Sequence, residues 1–174
     1  MIRPNGTEHA PFFAGYIALV PESDVLAVLE EQMREIPALA SRVPREREQF
    51  RYAPGKWNIR QVLGHVADSE RIFGYRALCI SRGERGSLPA FDENEYAAHA
   101  PFDRIPLADI AAEFTNIRRA NLDFLRRLET SSWMTMGTAN NHPASVRALA
   151  FIMAGHARHH INILHERYGI PGEA

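Results

Sequence analysis

The chain has 174 residues, of which 45% are hydrophobic and 24% are charged, and these values are ordinary for one globular domain. Its formal net charge of −1 provides no basic surface for nucleic acid or an anionic membrane, and its single cysteine excludes an internal disulfide. No stretch approaches the roughly 20 apolar residues of a membrane span, and the amino terminus lacks a signal-type apolar run. We therefore expect a cytoplasmic protein that binds neither nucleic acid nor membrane.

The first part of the chain predicts an arm followed by a helix. Residues 1–22 are rich in proline, glycine and aromatic residues, which indicates an ordered amino-terminal arm packed on the domain. From about Ser23, apolar residues recur at helical spacing. Pro37 is expected to kink or end this first helix, because proline lacks the backbone donor that a helix interior uses.

The second helix has clear signals at both ends. Asn58 is a good N-cap, and Gln61 lies three residues later, as in a capping box. Gly83 follows the apolar repeat and favours the end of the helix there. Residues 83–105 carry Gly, Pro, Asp and Asn, and we predict that they form a long loop, a feature that is usually functional.

Two further helices complete the prediction. The third begins near Pro106 and the fourth near Ser145, with a loop predicted over 137–143 between them. No segment shows the period-2 alternation of a strand. We predict an all-α protein with one domain over 1–174, in which residues 23–169 form a four-helix bundle.

Three histidines on the predicted core faces are candidate metal ligands. His156 and His160 are four residues apart on the fourth helix, so their Cβ atoms lie about 6 Å apart on its apolar face. His65 lies on the apolar stripe of the second helix. Three neutral imidazoles suit a divalent ion with a coordination position left open. The alternative is that each histidine is simply buried and hydrogen-bonded to a carbonyl oxygen.

Several segments resemble the DinB/YfiT-like family. The similar segments cover almost the whole chain and are Arg-Tyr-Ala-Pro-Gly-Lys-Trp-Asn-Ile (51–59), Val-Leu-Gly-His-Val-Ala-Asp-Ser-Glu-Arg (62–71), Phe-Asp-Glu-Asn-Glu-Tyr (91–96), Gly-Thr-Ala-Asn (137–140) and Ala-Gly-His-Ala-Arg-His-His (154–160). The resemblance implies a four-helix bundle, often a dimer, with a metal ion on His65, His156 and His160. At Ala157 the family often has glutamate, so no role of that glutamate is expected here.

Other polar residues are weaker candidates. Asp68 lies one turn beyond His65 and could hydrogen-bond a ligand or a coordinated water, but a salt bridge is an equally good interpretation. On an ideal helix, Glu70 points away from the face that carries His65. Cys79 is roughly 21 Å along the helix axis from His65, which excludes it from the same site and makes it core filler. Glu113 has no Glu-x-x-His partner, and this argues against a di-iron bundle.

The predicted loops supply further candidates. His99 and His142 could line the mouth of a cavity, although loop histidines are more often simply exposed. The acidic and aromatic residues of 91–96 lie where substrate contacts concentrate. With the arm, this loop is expected to shape the substrate pocket.

The leading functional hypothesis is a metal-dependent enzyme acting on a small molecule. The resemblance implies either a low-molecular-weight-thiol transferase or a hydrolase, and we favour the transferase because the sequence offers no convincing carboxylate base. Three histidines admit Zn, Ni, Fe, Mn or Co. The alternative class is a non-catalytic metal-binding stress protein. A homodimer is expected from the resemblance alone.

Overall fold

The computed structural model describes residues 2–172, and these residues form a bundle of four long helices with short elements at its ends. The helices are α1 (Ala14–Ala18), α2 (Val25–Ser41), α3 (Ile59–Ser81), α4 (Glu93–His99), α5 (Leu107–Arg126) and α6 (Val146–Glu166). The strands are β1 (Ser87–Leu88), β2 (Met136–Ala139) and β3 (His142–Ser145). The four predicted helices correspond to α2, α3, α5 and α6. None of the helices in the described range has the length and apolar character needed to cross a membrane.

Local capping explains where the long helices begin. The Asn58 side chain accepts a hydrogen bond from Gln61 N at 2.8 Å, and the Gln61 side chain accepts one from Asn58 N at 3.1 Å. Ser145 caps α6 by accepting from Ala148 N at 3.0 Å. Gly83, with φ of +86°, follows the end of α3 in a conformation that glycine adopts without strain. The predicted helix boundaries at these positions are confirmed.

The order of helices around the bundle differs from the order along the chain. Each long helix packs against two neighbours, in the cyclic order α2, α5, α3, α6. Helices α2 and α3 are consecutive in sequence but lie diagonally opposite, as do α5 and α6. Helix α6 is buried along its whole first half, from Val146 to Ala157. A helix enclosed in this way brings its side chains to several neighbours at once.

Helix α2 does not end at Pro37, which was one of the two outcomes expected from sequence. It continues for four residues to Ser41. The missing backbone donor costs one hydrogen bond, but Ile36, Leu39 and Ala40 are buried in the core around this turn. Tertiary packing of the last turn therefore outweighs the local cost of proline.

The all-α class is confirmed, but the prediction of a loop over 137–143 was wrong, because two short strands occupy most of it at one end of the bundle. Strand β2 pairs parallel with β1 and antiparallel with β3, forming a small three-stranded sheet over part of the predicted 137–143 loop. Asn140 and Asn141 connect β2 and β3 with φ of +51° and +59°. Asparagine tolerates this left-handed region better than most residues, and two such residues in succession are typical of a tight hairpin turn. Strands of two to four residues are too short to show alternation.

The connection over 83–105 is also more regular than predicted. Besides β1 it contains α4, whose N-cap residue Asp92 accepts hydrogen bonds from Asn94 N and Glu95 N. Phe102 is buried and packs against Gly64 of α3. The predicted loop is therefore a folded segment that covers one side of α3.

The amino-terminal arm is held to the start of α6 by a buried carboxylate. Glu8 accepts hydrogen bonds from Arg147 Nε at 2.7 Å and from Ser145 Oγ at 2.8 Å. These bonds, with Arg147 as the largest cause, lower the pKa of Glu8 to about 2. The arm packs on the bundle, as expected from its composition.

Replacing Glu8 with glutamine is expected to destabilise the protein most at neutral pH. A depressed carboxyl pKa contributes stability above the unfolded-state value of 4.5, and this contribution is lost as the pH falls toward 2. The difference in unfolding free energy between wild type and Glu8→Gln should be on the order of 2–3 kcal/mol at pH 7 and should shrink as the pH approaches 2. Urea unfolding across this pH range measures it. A pH-independent difference would contradict the assignment.

Candidate metal centre

The structure brings together the three histidines that the sequence singles out. His65 of α3 and His156 and His160 of α6 each offer a ring nitrogen, and these atoms lie within 4.8 Å of one another. The Nε2 atoms of His65 and His156 are 2.9 Å apart. All three residues are at least 92% buried. Two helices that neighbour each other in the bundle therefore point imidazoles at one position.

A glycine precedes a histidine on each of these two helices, and both glycines allow close packing around the site. A Cβ atom on Gly64 would lie 2.5 Å from the ring of Phe102. A Cβ atom on Gly155 would overlap the carbonyl oxygen of Tyr16. The 83–105 connection and the arm consequently approach α3 and α6 directly beside His65 and His156.

All three imidazoles are neutral at physiological pH. Burial, followed by the charge of His159, lowers the pKa of His65 to about 4. Burial is also the main cause that lowers the pKa values of His156 and His160 well below the usual value. A neutral imidazole has a free lone pair, which is the form that binds a metal ion.

The residues present fit a divalent ion. The Nδ1 atom of His160 is buried and has no hydrogen-bond partner among residues 2–172. Three nitrogen atoms bonded to one ion at about 2.0–2.1 Å lie roughly 3.3 Å apart, so this cluster needs only small adjustments. Burying three imidazoles so close together otherwise leaves ring nitrogens unsatisfied, which costs free energy.

Aromatic rings surround the cluster. The ring centroid of Trp57 lies 4.8 Å from that of His65, while Tyr16 and Phe73 present edge-on contacts to His156 at 5.3 and 5.6 Å. Tyr16 comes from α1, Trp57 precedes α3, and Phe73 lies on α3. These ring contacts hold the planes of the His65 and His156 imidazoles.

Two cavities reach the cluster from different sides. The first, of about 200 Å³, includes His65 and His156 and is otherwise lined by Phe12, Phe13, Tyr16, Ser69, Phe73, Arg76, Phe91, Glu93, Ala139 and Asn140. The second, of about 250 Å³, includes His160 and is otherwise lined by Tyr52, Gly55, Lys56, Trp57, Val62, Asn94, Ile163 and Tyr168. The arm and the 91–96 segment contribute to these linings, as the sequence predicts.

The weaker candidates lie away from the cluster. Asp68 does not line either cavity, and its carboxylate pairs with Arg71 at 3.5 Å. Burial is the main cause that raises the pKa of Asp68. Glu113 also pairs with Arg71, and Cys79 packs against the apolar core.

The two loop histidines do not join the cluster either. His99 is exposed and contacts the carbonyl oxygen of Glu95, whereas the ring of His142 meets the edge of Phe12 at 5.5 Å. Ala157 is buried in the core beside the cluster. A glutamate at this position would need room and polar partners that the apolar surroundings do not provide.

Sequence reasoning missed a buried polar network next to the site. Arg118 of α5 donates to both carboxylate oxygens of Glu70, at 2.8 and 2.9 Å, and to Gln32 Oε1 at 2.9 Å. Gln32 in turn donates to the carbonyl oxygen of Ala154, two residues before His156. One signal of this network was present in the sequence. Arg118 places a charge on the apolar stripe of α5, four residues after Phe114.

Comparison with known proteins places the chain in a family. A family model for the DinB superfamily matches residues 29–164. The chain belongs to the DinB superfamily. The resemblance inferred from the quoted motifs is thereby confirmed, and the three histidines all lie within the matched range.

Individual proteins also resemble this chain. A protein of Oceanobacillus iheyensis, named as a proposed metal-dependent hydrolase, is 26% identical over 151 residues, covering 82% of this chain and 86% of its own. The solved structure of YfiT from Bacillus subtilis, described as having an unusual four-helix bundle topology, matches with a TM-score of 0.76 at 19% identity, over 84% of this chain and 87% of its own. A mycothiol-dependent maleylpyruvate isomerase matches with a TM-score of 0.63 at 14% identity, over 83% and 61%. Both structures share the fold of this chain.

Proposed function

We propose that this DinB-superfamily protein is a metal-dependent enzyme in which His65, His156 and His160 hold a divalent ion beside a small-molecule cavity. The observation that carries the proposal is the buried cluster of three neutral imidazoles with ligand atoms within 4.8 Å. A purely structural ion is normally closed off by four protein ligands, whereas here two cavities reach a set of three. The names of the Oceanobacillus protein and of YfiT, both assigned to metal-dependent hydrolases, support the same reading.

The side chains around the cluster have separate tasks in this proposal. A divalent ion bound to three neutral nitrogens can accept a water or thiol and lower its pKa toward neutrality. The three imidazoles supply the lone pairs, and the rings of Tyr16 and Trp57 keep these imidazoles oriented. The hydroxyl of Ser69 is fully buried in the cavity wall and has no partner among residues 2–172, which leaves an unpaired polar atom one helical turn from His65.

We favour thiol transfer over hydrolysis for two reasons. Hydrolysis benefits from a carboxylate base beside the ligands. Among the described residues, Glu93 is the one acidic residue in the two cavity linings, and it is exposed on α4 and does not belong to the histidine cluster. A transfer reaction also needs room for two reactants, and the two cavities have different linings. The thiol dependence named for the maleylpyruvate isomerase adds support. The names of the other two relatives favour hydrolysis as the second candidate.

Replacing His160 with alanine is expected to weaken metal binding by at least about 100-fold, since it removes a direct ligand. Protein purified without a histidine tag would be stripped with a chelator and titrated with Zn²⁺ and Ni²⁺ by calorimetry, with elemental analysis of the bound metal. His159→Ala is the matched control, because His159 is adjacent in sequence but outside the cluster. Equal affinities of the two variants would contradict the proposal.

The reaction class is tested with the metal-loaded protein. Turnover of an electrophile only in the presence of a low-molecular-weight thiol supports the transferase, and turnover of esters or amides without thiol supports the hydrolase. No turnover in either assay, together with a melting temperature lowered by chelation, would indicate a non-catalytic metal-binding protein. The homodimer and the cytoplasmic location stay predictions.

A further inference from the structure

We propose that the first cavity takes an elongated substrate with an apolar body and a terminal carboxylate, and that Arg76 binds this carboxylate. The inference rests on the proposed function, because it places the reacting end of the substrate at His65. It adds the chemical class of the substrate and a residue that selects it.

One face of α3 runs along this cavity from the histidine cluster to Arg76. His65, Ser69, Phe73 and Arg76 follow one another at intervals of four, four and three residues, and all four line the cavity. Such spacing places side chains on one side of a helix. The Cα atoms of His65 and Arg76 are about 16 Å apart along the axis, and side chains of a helix lean toward its amino terminus. A ligand that contacts both Arg76 and the histidine cluster would therefore need a length on the order of 10 Å.

Arg76 is a buried cation that lacks a counter-charge. Three arginines are at least 91% buried in the described part of the chain. Arg118 and Arg147 each bind both oxygens of a glutamate, Glu70 and Glu8 respectively. Arg76 is 4% exposed, and no carboxylate among residues 2–172 lies within 4.0 Å of it.

The contacts of Arg76 hold its side chain in place but do not neutralise it. It donates to the carbonyl oxygen of Pro89 at 2.6 Å and lies 5.8 Å from the ring centroid of Phe91. Burial lowers the pKa of Arg76, since the surrounding protein replaces water around the charge. A buried charge costs free energy unless it is paired, and a carboxylate that enters the cavity would supply the missing partner.

Glu93 does not supply the counter-charge that Arg76 lacks. Glu93 lines the same cavity but is exposed on α4. After burial, its charge is the second cause that raises the pKa of Tyr16. Glu93 therefore acts on the arm side of the cavity and leaves Arg76 available.

The wall between the two ends is aromatic. Phe12, Phe13 and Phe73 line this part of the cavity, with the rings of Phe13 and Phe73 meeting edge-on at 5.9 Å. Ser69, whose buried hydroxyl has no partner among the described residues, lies near His65. The lining matches a ligand with a polar reacting end, an aromatic or aliphatic body, and a carboxylate at the far end.

The test uses 4-phenylbutyrate and its neutral amide as matched probes on metal-free protein, so that a bound ion cannot attract the carboxylate. Wild type is expected to bind the acid at least about tenfold more tightly than the amide, since a charge-assisted bidentate contact is lost in the amide. Arg76→Gln should remove this preference. Arg82→Gln, which removes the same charge from the end of the same helix outside the cavity, should retain it.

A second measurement uses only the wild-type protein, so its result does not depend on whether Arg76→Gln folds. The Nε–Hε resonance of Arg76 in wild type should shift with the acid and remain in place with the amide. Absence of binding by the acid, an equal affinity for both probes, or a preference that survives in Arg76→Gln would each overturn the inference. Metal titration in parallel separates the two proposals. Normal metal binding without acid preference rejects only the carboxylate site, and acid preference without metal binding rejects only the metal centre.

Discussion

Replacing Arg118 with methionine is expected to lower the free energy of unfolding by about 3–5 kcal/mol, because the change leaves Glu70 as an unpaired buried charge. Arg118 is completely buried and Glu70 is 2% exposed. The guanidinium also donates to the Leu29 carbonyl at 3.1 Å and to Gln32 Oε1 at 2.9 Å, so these two further acceptors also lose their donor. Urea unfolding of the metal-free protein measures the effect.

Two comparisons identify the cause of this loss. Arg71→Met breaks the partly exposed pairs of Arg71 with Glu113 and Asp68 and is expected to cost about 1 kcal/mol or less. The double variant Arg118→Met with Glu70→Gln should be more stable than Arg118→Met alone, since it removes the stranded charge. An equal loss of unfolding free energy in Arg118→Met and Arg71→Met would contradict the claim that burial makes the Arg118–Glu70 pair more important than an exposed pair.

Replacing Gly155 with alanine is expected to displace the amino-terminal arm and to destabilise the protein by at least about 2 kcal/mol. The new Cβ would overlap the carbonyl oxygen of Tyr16 and lie 2.5 Å from its carbonyl carbon. These are backbone atoms, so no rotation of a side chain relieves the contact. Because Phe12, Phe13 and Tyr16 line the first cavity, the same change should also weaken ligand binding there.

Gly15→Ala provides the control for the Gly155 variant. A Cβ at Gly15 meets no atom within 4 Å, and Gly15 lies within α1. Alanine is favoured over glycine in a helix by up to about 1 kcal/mol, so this variant should be as stable as wild type or slightly more so. Limited proteolysis reports release of the arm, and urea unfolding reports stability. A Gly155→Ala protein with a protected arm and unchanged stability would contradict the packing described here.

The helices could be predicted because their signals are local. The Asn58–Gln61 capping box, the Ser145 cap and the glycine after α3 each act within a few residues of a helix end. The apolar repeats between these signals depend only on helical geometry. The spacing of His156 and His160 is equally local, so their shared face was predictable from sequence.

Several of the errors concern interactions between distant segments. The sheet joins residues 87–88 to 136–145, and neither part has enough residues to show a strand pattern. Pro37 stays inside α2 because the residues around it are buried against other helices. The Glu70–Arg118 pair joins α3 to α5, and an ideal helix considered alone cannot show that Glu70 has a partner.

The sequence by itself determined the four long helices, the positions where they begin, and the presence of histidines on two apolar faces, because short-range hydrogen bonding and periodicity specify these features. Only the tertiary structure decided that α3 and α6 are neighbours, that His65 reaches the α6 pair, and that Arg76 faces the same cavity without a counter-charge. The physical reason is that these relations depend on how helices pack around a common core, and packing is set by the shapes and charges of residues far apart in the chain.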